Sequence, residues 1–346
     1  MDLPMKRISA ILNPTLTVRN LMMRPEERFS KDDFTRNRLF FRLFQDNGIQ
    51  SSTQIKENLF KVQTDTGTFI LKGISDFQSV QSSIVLNRFL IEKGFLRGLE
   101  YMELSNGLHY MFEGQLVWTM TRYIPPKRPF SFLREEDRLD GVEVLKSFHH
   151  YSAKLIPVLS SFLKRENLLM KWEARLEKFE QNLPILTQWF NSTSFSEIVY
   201  YSKASLEQLK MVDFTMEKSD EVVLHGDVAS HNFVKSTDNK TYLIDYDLIS
   251  IGLAEWDDVQ YASRILPFIK WDKKKFFRIP IFQYYLKHPW FWIALAFPMD
   301  ILREGNQFSE TVQNHSMPQS YTNLSFFLSS WNLRKQFLTN FHNMIQ

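Results

Sequence analysis

The chain has 346 residues, enough for two lobes that share a cleft. Lys plus Arg is 42 against 39 for Asp plus Glu, a formal net charge of +3, which excludes nucleic-acid binding driven by bulk charge. A content of 44% hydrophobic and 23% charged residues is that of a globular chain, 31 Phe and 8 Trp call for a large aromatic core, and the absence of Cys excludes disulfides, zinc ribbons, iron–sulfur ligation and thiolate nucleophiles.

Met1 to Thr15 carries Asp2, Lys6 and Arg7 and no apolar run of signal-peptide length. The longest apolar stretch, Pro289 to Met299, is too short to cross a bilayer and reads as a buried helix. These features predict a soluble, cytoplasmic protein with no membrane span. From Asn58 to Lys72 two β-rich runs flank Asp65-Thr66-Gly67, which predicts a hairpin. Strand alternation puts Lys72 on the face of Ile70, away from Phe69 and Leu71. A helix follows over roughly Asp76 to Lys93, stopped by Gly94, and then two strands, His109 to Phe112 and Gln115 to Tyr123, joined at Glu113-Gly114.

Pro125, Pro126 and Pro129 break the strand pattern, and a long helical region is expected from about Phe130. Trp172 to Leu176 lies on another helix, and from about Pro280 the pattern is again mostly helical. Residues 1–124 therefore read as a small sheet-rich lobe and residues 125–346 as a larger helical one, interrupted by the β-rich segment Val222 to Asp247.

That segment carries most of the chemistry. It reads Val-Val-Leu-His225-Gly226-Asp227-Val-Ala-Ser-His231-Asn232-Phe-Val, and after a turn at Thr237 to Lys240 comes Tyr-Leu-Ile-Asp245-Tyr-Asp247. Each half is an apolar strand running into polar residues, and a hairpin of this length brings Asn232 and Asp245 together. Phosphoryl transfer needs a carboxylate to orient the acceptor hydroxyl, oxygen ligands for Mg²⁺ and a cation on the phosphate tail. Asp227 suits the first task, Asn232 and Asp245 the second, and Lys72 the third. Hard oxygen donors suit Mg²⁺ and not a redox metal. Taken singly, Asp227 and Asn232 suit a turn and a helix cap equally well, and Lys72 reads as a solvated strand lysine.

His-Gly-Asp-x-x-x-x-Asn followed by Ile-Asp-x-Asp resembles the aminoglycoside phosphotransferase and choline kinase superfamily. The phrases His-Gly-Asp-Val-Ala-Ser-His-Asn-Phe and Leu-Ile-Asp-Tyr-Asp-Leu-Ile-Ser-Ile-Gly resemble its spore-coat (CotS-type) branch, close to YutH-like proteins. Leu145 to His149, Trp172 to Arg175 and Phe297 to Glu304 also look like that branch, so the resemblance covers about Asn58 to Arg303. It implies an α+β, bilobal protein-kinase-like fold with a small antiparallel-sheet N-lobe that binds nucleotide and a mostly helical C-lobe that binds the acceptor. It also implies ATP and Mg²⁺ as cofactors. Asp227 becomes the catalytic-loop carboxylate, Asn232 and Asp245 the metal ligands, and Lys72 the ATP-phosphate lysine. His225 supports the loop, and the backbone of Met120 to Tyr123 meets the adenine.

The expected activity is ATP- and Mg²⁺-dependent phosphotransfer to a hydroxyl of a small molecule or a spore-associated acceptor, with spore coat proteins as partners and coat association as a location. The alternative is a catalytically degenerate kinase-fold scaffold of coat assembly. Two departures from the family pattern favour that alternative. Glu57-Asn58-Leu59-Phe60 contains no glycine-rich phosphate loop, and beyond Asp76 at its start the helix that would supply a partner for Lys72 has Glu92, near its C-terminal end, as its one acid. Glu255, Asp257 and Asp258 read as structural, one of them anchoring the loop to a helix. Adjacent His149 and His150 point about 100° apart on a helix and do not form a chelate.

Overall fold

The structure, a computed structural model, describes residues 49–190, 193–212, 221–313 and 318–345, so the expectation for Met1 to Thr15 lies outside the described residues. Two compact units make up the chain. One holds residues 49–84 with Leu99–Tyr123, and the other holds Val85–Gly98 and everything described from Ile124 on.

The first unit is an antiparallel sheet of β1 (Ile49–Lys56), β2 (Leu59–Thr64), β3 (Gly67–Ile74), β4 (Tyr110–Glu113) and β5 (Leu116–Arg122), in the order β1-β2-β3-β5-β4. The predicted hairpin is β2–β3, turning at Asp65-Thr66. Alternate residues Phe60, Val62, Phe69 and Leu71 are buried with Met111, Trp118 and Met120, the pattern of a sheet with one covered face. β1 was not expected: Ile-Gln-Ser-Ser-Thr-Gln-Ile-Lys is polar, and almost all of it is exposed on the sheet edge. A two-residue turn, Glu57-Asn58, joins it to β2, with Asn58 at φ 55°. Helix α1 (Phe77–Glu92) starts where the Asp76 carboxylate accepts from the Gln78 N–H at 3.0 Å. Its Val80 and Ile84 pack on Val117.

In the second unit the long helices are α2 (Glu135–Ala153), α3 (Leu168–Trp189), α4 (Ser194–Lys210), α5 (Ala254–Ile265), α6 (Pro289–Ala296), α7 (Met299–Gln313), α8 (Pro318–Ser329) and α9 (Trp331–Ile345). Between α4 and α5 lie β7 (Glu221–Leu224), β8 (Phe233–Ser236), β9 (Thr241–Leu243) and β10 (Ser250–Leu253). β8 and β9 form the expected hairpin around residues 237–240, whereas β7 pairs with β10, a strand the sequence reading did not separate from its motif.

The proline-rich stretch also differs from expectation. Pro126–Arg128 forms a short strand, β6, on the edge of the sheet β6-β8-β9, where a missing proline N–H leaves no central ladder bond unmade. The helix after it begins at Glu135 rather than near Phe130, because Phe130 is used to stack on Phe233, with ring centroids 5.0 Å apart.

Aromatic packing dominates the helical layer. Trp172 of α3 stacks on Phe297 at 4.4 Å, and Trp290, Phe291 and Trp292 of α6 are buried as the apolar run predicts. α7 approaches α3 closely at Gly305, where a Cβ would lie 2.4 Å from the Phe179 ring. Among the described residues no helix is long and apolar enough to cross a membrane.

Candidate active site

The segment after β7 is Gly226-Asp227, and its backbone is held from α5. Asp257 accepts from the N–H of His225 at 2.7 Å and from that of Gly226 at 3.1 Å. Gln260 accepts from the Val228 N–H at 2.7 Å and donates to the Gly226 carbonyl at 3.0 Å. Asp257 is 1% exposed. Burial by itself would raise its carboxyl, but the hydrogen bond from His149 Nε2 at 2.9 Å, with that from the His225 backbone, holds it below the usual carboxylate range. This matches the reading of the acidic cluster as structural. Its neighbour Asp258 is also buried, paired with Lys146 and accepting from the Tyr285 hydroxyl at 2.5 Å.

His225 ties two strands together. Its Nε2–H donates to the Ile244 carbonyl at 2.9 Å, and its Nδ1 accepts from the Asp227 N–H at 3.4 Å. Gly226 is required at its position: its φ is +79°, and a Cβ would lie 2.3 Å from the Leu248 carbonyl oxygen.

Asp227 emerges from this frame one-quarter exposed. Its Oδ1 accepts from Arg264 Nη2 at 2.9 Å, its Oδ2 faces Asn232 Nδ2 at 3.3 Å, and His231 Nε2 lies 4.0 Å from the same oxygen. Asn232, buried at the end of a short 3₁₀ turn (Ser230–Asn232), also donates from Nδ2 to the Asp227 carbonyl at 2.8 Å. Its amide oxygen makes no hydrogen bond among the described residues, leaving free the atom a hard cation takes.

The Ile244 N–H donates to the Asn232 carbonyl at 2.9 Å, so the β8–β9 register delivers Asp245 to the same end of the hairpin as Asn232. Asp245 itself has φ 69°, the left-handed conformation that few residues other than Gly, Asn and Asp enter. Tyr246 then stacks on Phe148 at 5.6 Å and fixes the chain beyond it. Asn232 and Asp245 supply two oxygen-bearing side chains, the number Mg²⁺ takes from protein when phosphates provide other ligands. Among the described residues no group of three or more His, Asp or Glu could hold a metal alone.

Lys72 belongs to the first unit. It lies on β3 between Leu59 and Thr119 in the register, half-buried, with Phe69 and Leu71 buried on the opposite face. In the stretch Met120 to Tyr123 the N–H groups of Arg122 and Tyr123 donate to the carbonyls of Glu100 and Thr68 at 2.9 and 3.0 Å.

Beside Asp227, within the second unit, opens a cavity of about 130 Å³. Arg264 of α5, Lys171 and Arg175 of α3, and Asp300 and Arg303 of α7 line it, with Trp172, Trp256 and Leu248 as apolar walls. Burial, reinforced by the charge of Arg303, lowers Arg264 to about 10, so it stays a cation at neutral pH. Sequence reasoning gave none of these cations a role. The legible signal was spacing: Asp257, Gln260 and Arg264 recur at i, i+3 and i+7 and share one face of α5.

No family model matches the sequence, and no curated protein matches it. Solved structures do match. An aminoglycoside phosphotransferase from Alicyclobacillus acidocaldarius aligns over 94% of this chain and 99% of its own, with 14% identity and a TM-score of 0.64. A spectinomycin phosphotransferase, solved with ADP and spectinomycin, aligns over 90% of this chain and 100% of its own, with 13% identity and a TM-score of 0.63. A choline kinase from Streptococcus pneumoniae aligns over 88% and 99%, with 12% identity and a TM-score of 0.53. The chain has the protein-kinase-like α+β fold that these phosphotransferases share, with an antiparallel sheet in its N-terminal part and a mostly helical C-terminal part.

Proposed function

We propose that the protein is an ATP- and Mg²⁺-dependent phosphotransferase acting on a hydroxyl of a small molecule. The observation that carries this reading is the Gly226–Asp245 frame. It leaves one carboxylate, Asp227, accessible beside a cavity, and next to it an amide oxygen and a left-handed aspartate at one hairpin end. The fold is shared with a spectinomycin phosphotransferase solved in complex with ADP and spectinomycin.

In this reading residues 1–124 bind nucleotide and residues 125–346 supply catalysis and the acceptor site. Lys72 binds the phosphate tail as a point charge. Asn232 and Asp245 would hold the metal, which would supply charge neutralisation on the phosphate tail. Asp227, fixed by Arg264 and Asn232, orients the acceptor hydroxyl and takes its proton. The acceptor oxygen bonds to the γ-phosphorus as the bond to the β–γ bridging oxygen breaks, and ADP leaves. Most of the rate comes from positioning and electrostatics. The narrower assignment, a cytoplasmic or coat-associated enzyme of the spore-coat branch with coat proteins as partners, is supported by the motif phrases alone.

Calorimetric titration of ATP with and without Mg²⁺, on the wild type and on Asp245→Ala, tests the reading. Binding that requires Mg²⁺ and disappears in Asp245→Ala is the expected result. No binding at millimolar ATP would overturn it in favour of the scaffold reading, which the two-residue turn Glu57-Asn58, in place of a glycine-rich loop, favours.

A further inference from the structure

Four cations, Lys171, Arg175, Arg264 and Arg303, line the cavity beside Asp227, against two carboxylates, Asp227 and Asp300. Each carboxylate is already matched: Asp227 by Arg264 at 2.9 Å, and Asp300 by the fully buried Arg334 at 2.6 Å. Lys171 pairs with Glu166 at 2.8 Å and Arg303 with Glu304 at 2.5 Å.

Arg175 differs. Among the described residues it makes no ion pair; its Nη1 donates to the Met299 carbonyl at 3.3 Å. A half-buried guanidinium with no direct carboxylate contact is costly unless counter-charge is supplied; Asp300 and Glu166 act on Arg175 only through space, and each is already paired with another cation. Burial and then the charge of Arg303 push Arg175 down, and Arg303 also pushes Arg264 down, so Arg303 repels both of the other guanidiniums lining the cavity. Arginine presents a planar fork matched to carboxylate and phosphate oxygens.

Resting on the phosphotransferase reading above, we propose that the acceptor is an anion: a hydroxyl compound that also carries a carboxylate or a phosphate. Its acidic group is held by Arg175 and Arg303 and its hydroxyl is presented to Asp227. The sign of the cavity separates this chain from a kinase of choline, a quaternary ammonium, or of aminoglycosides, which are polycations. Trp172 and Trp256 close the remaining walls with apolar surface, which strengthens the ion pairing by excluding water.

The test is calorimetry on the full chain without nucleotide, using D-glycerate as the carboxylate probe, glycerol 3-phosphate as the phosphate probe and choline as the cation probe. One or both anions should bind, choline should not, and Arg175→Gln should weaken the anion at least tenfold. Arg303→Gln serves as the second variant if Arg175→Gln does not melt like the wild type. Binding of D-glycerate alone assigns a carboxylate acceptor, and binding of glycerol 3-phosphate alone assigns a phosphorylated one. Binding of choline, failure of both anions, or anion affinity unchanged in a folded Arg175→Gln or Arg303→Gln variant would overturn the proposal. ATP titrations on the same samples keep the two readings apart. Anion binding without Mg²⁺-dependent ATP binding sinks the kinase and keeps the anion site; ATP binding with choline preferred sinks the anion site alone.

Discussion

The sheet of the first unit and the Gly226–Asp245 segment of the second place their polar residues by different physics. In the sheet, Lys72 faces where strand alternation sends it, opposite the buried Phe69 and Leu71, and its neighbours in the register are ordinary ladder partners. In the second unit almost nothing is set by local period. Asp227 stands where it does because Asp257 and Gln260, some thirty residues later, satisfy three backbone N–H groups and one carbonyl of the loop, and because His225 reaches Ile244. A residue on a regular strand can be exchanged with little effect on its frame, whereas a residue in a hydrogen-bonded frame cannot.

The sharpest way to break that contrast is Asp257→Ala. It strips the acceptor from two backbone N–H groups and from His149 in a fully buried place, and should lower unfolding free energy by about 3–5 kcal/mol in urea titrations. A loss under about 1 kcal/mol would mean that the loop is not held from α5. Gly226→Ala comes next, at about 2–3 kcal/mol, because both its φ and the Leu248 carbonyl oppose a side chain.

The same contrast has a pH signature. The folded pKa of Asp257 lies below the unfolded value of 3.8, so the stability it contributes is complete above that value and drains away as pH falls through the lower folded pKa. Urea midpoints measured from pH 6 to pH 3 should fall more steeply for the wild type than for Asp257→Asn, which has no proton to take up. Equal slopes would remove Asp257 from the acid limb. The smallest effect on stability belongs to the sheet: Lys72→Ala should change unfolding free energy by no more than about 1 kcal/mol while weakening ATP about tenfold by calorimetry. A large loss of stability there would show that Lys72 is part of a frame as well.

Much of the architecture was readable in advance where a pattern repeats within a few residues. The hairpin around Asp65, helix α1 with its stop at Gly94, the buried run at Trp290 to Trp292 and the hairpin joining Asn232 to Asp245 all have periodic or turn signals of their own. β1 escaped because an exposed edge strand needs no apolar alternation, and Pro126–Arg128 because proline reads as a break until the edge position is known.

The spacing of His225, Asp227, Asn232 and Asp245, the face of Lys72 and the near-balance of charge over the whole chain follow from the order of the amino acids alone. What surrounds Asp227 depends instead on how distant helices pack. Lys171, Arg175, Arg264 and Arg303 are scattered over 133 positions of a nearly neutral chain, and helix packing alone gathers them at one cavity. Net charge is a sum over the chain, whereas the field at a site depends on which charges folding brings within a few ångströms of one another.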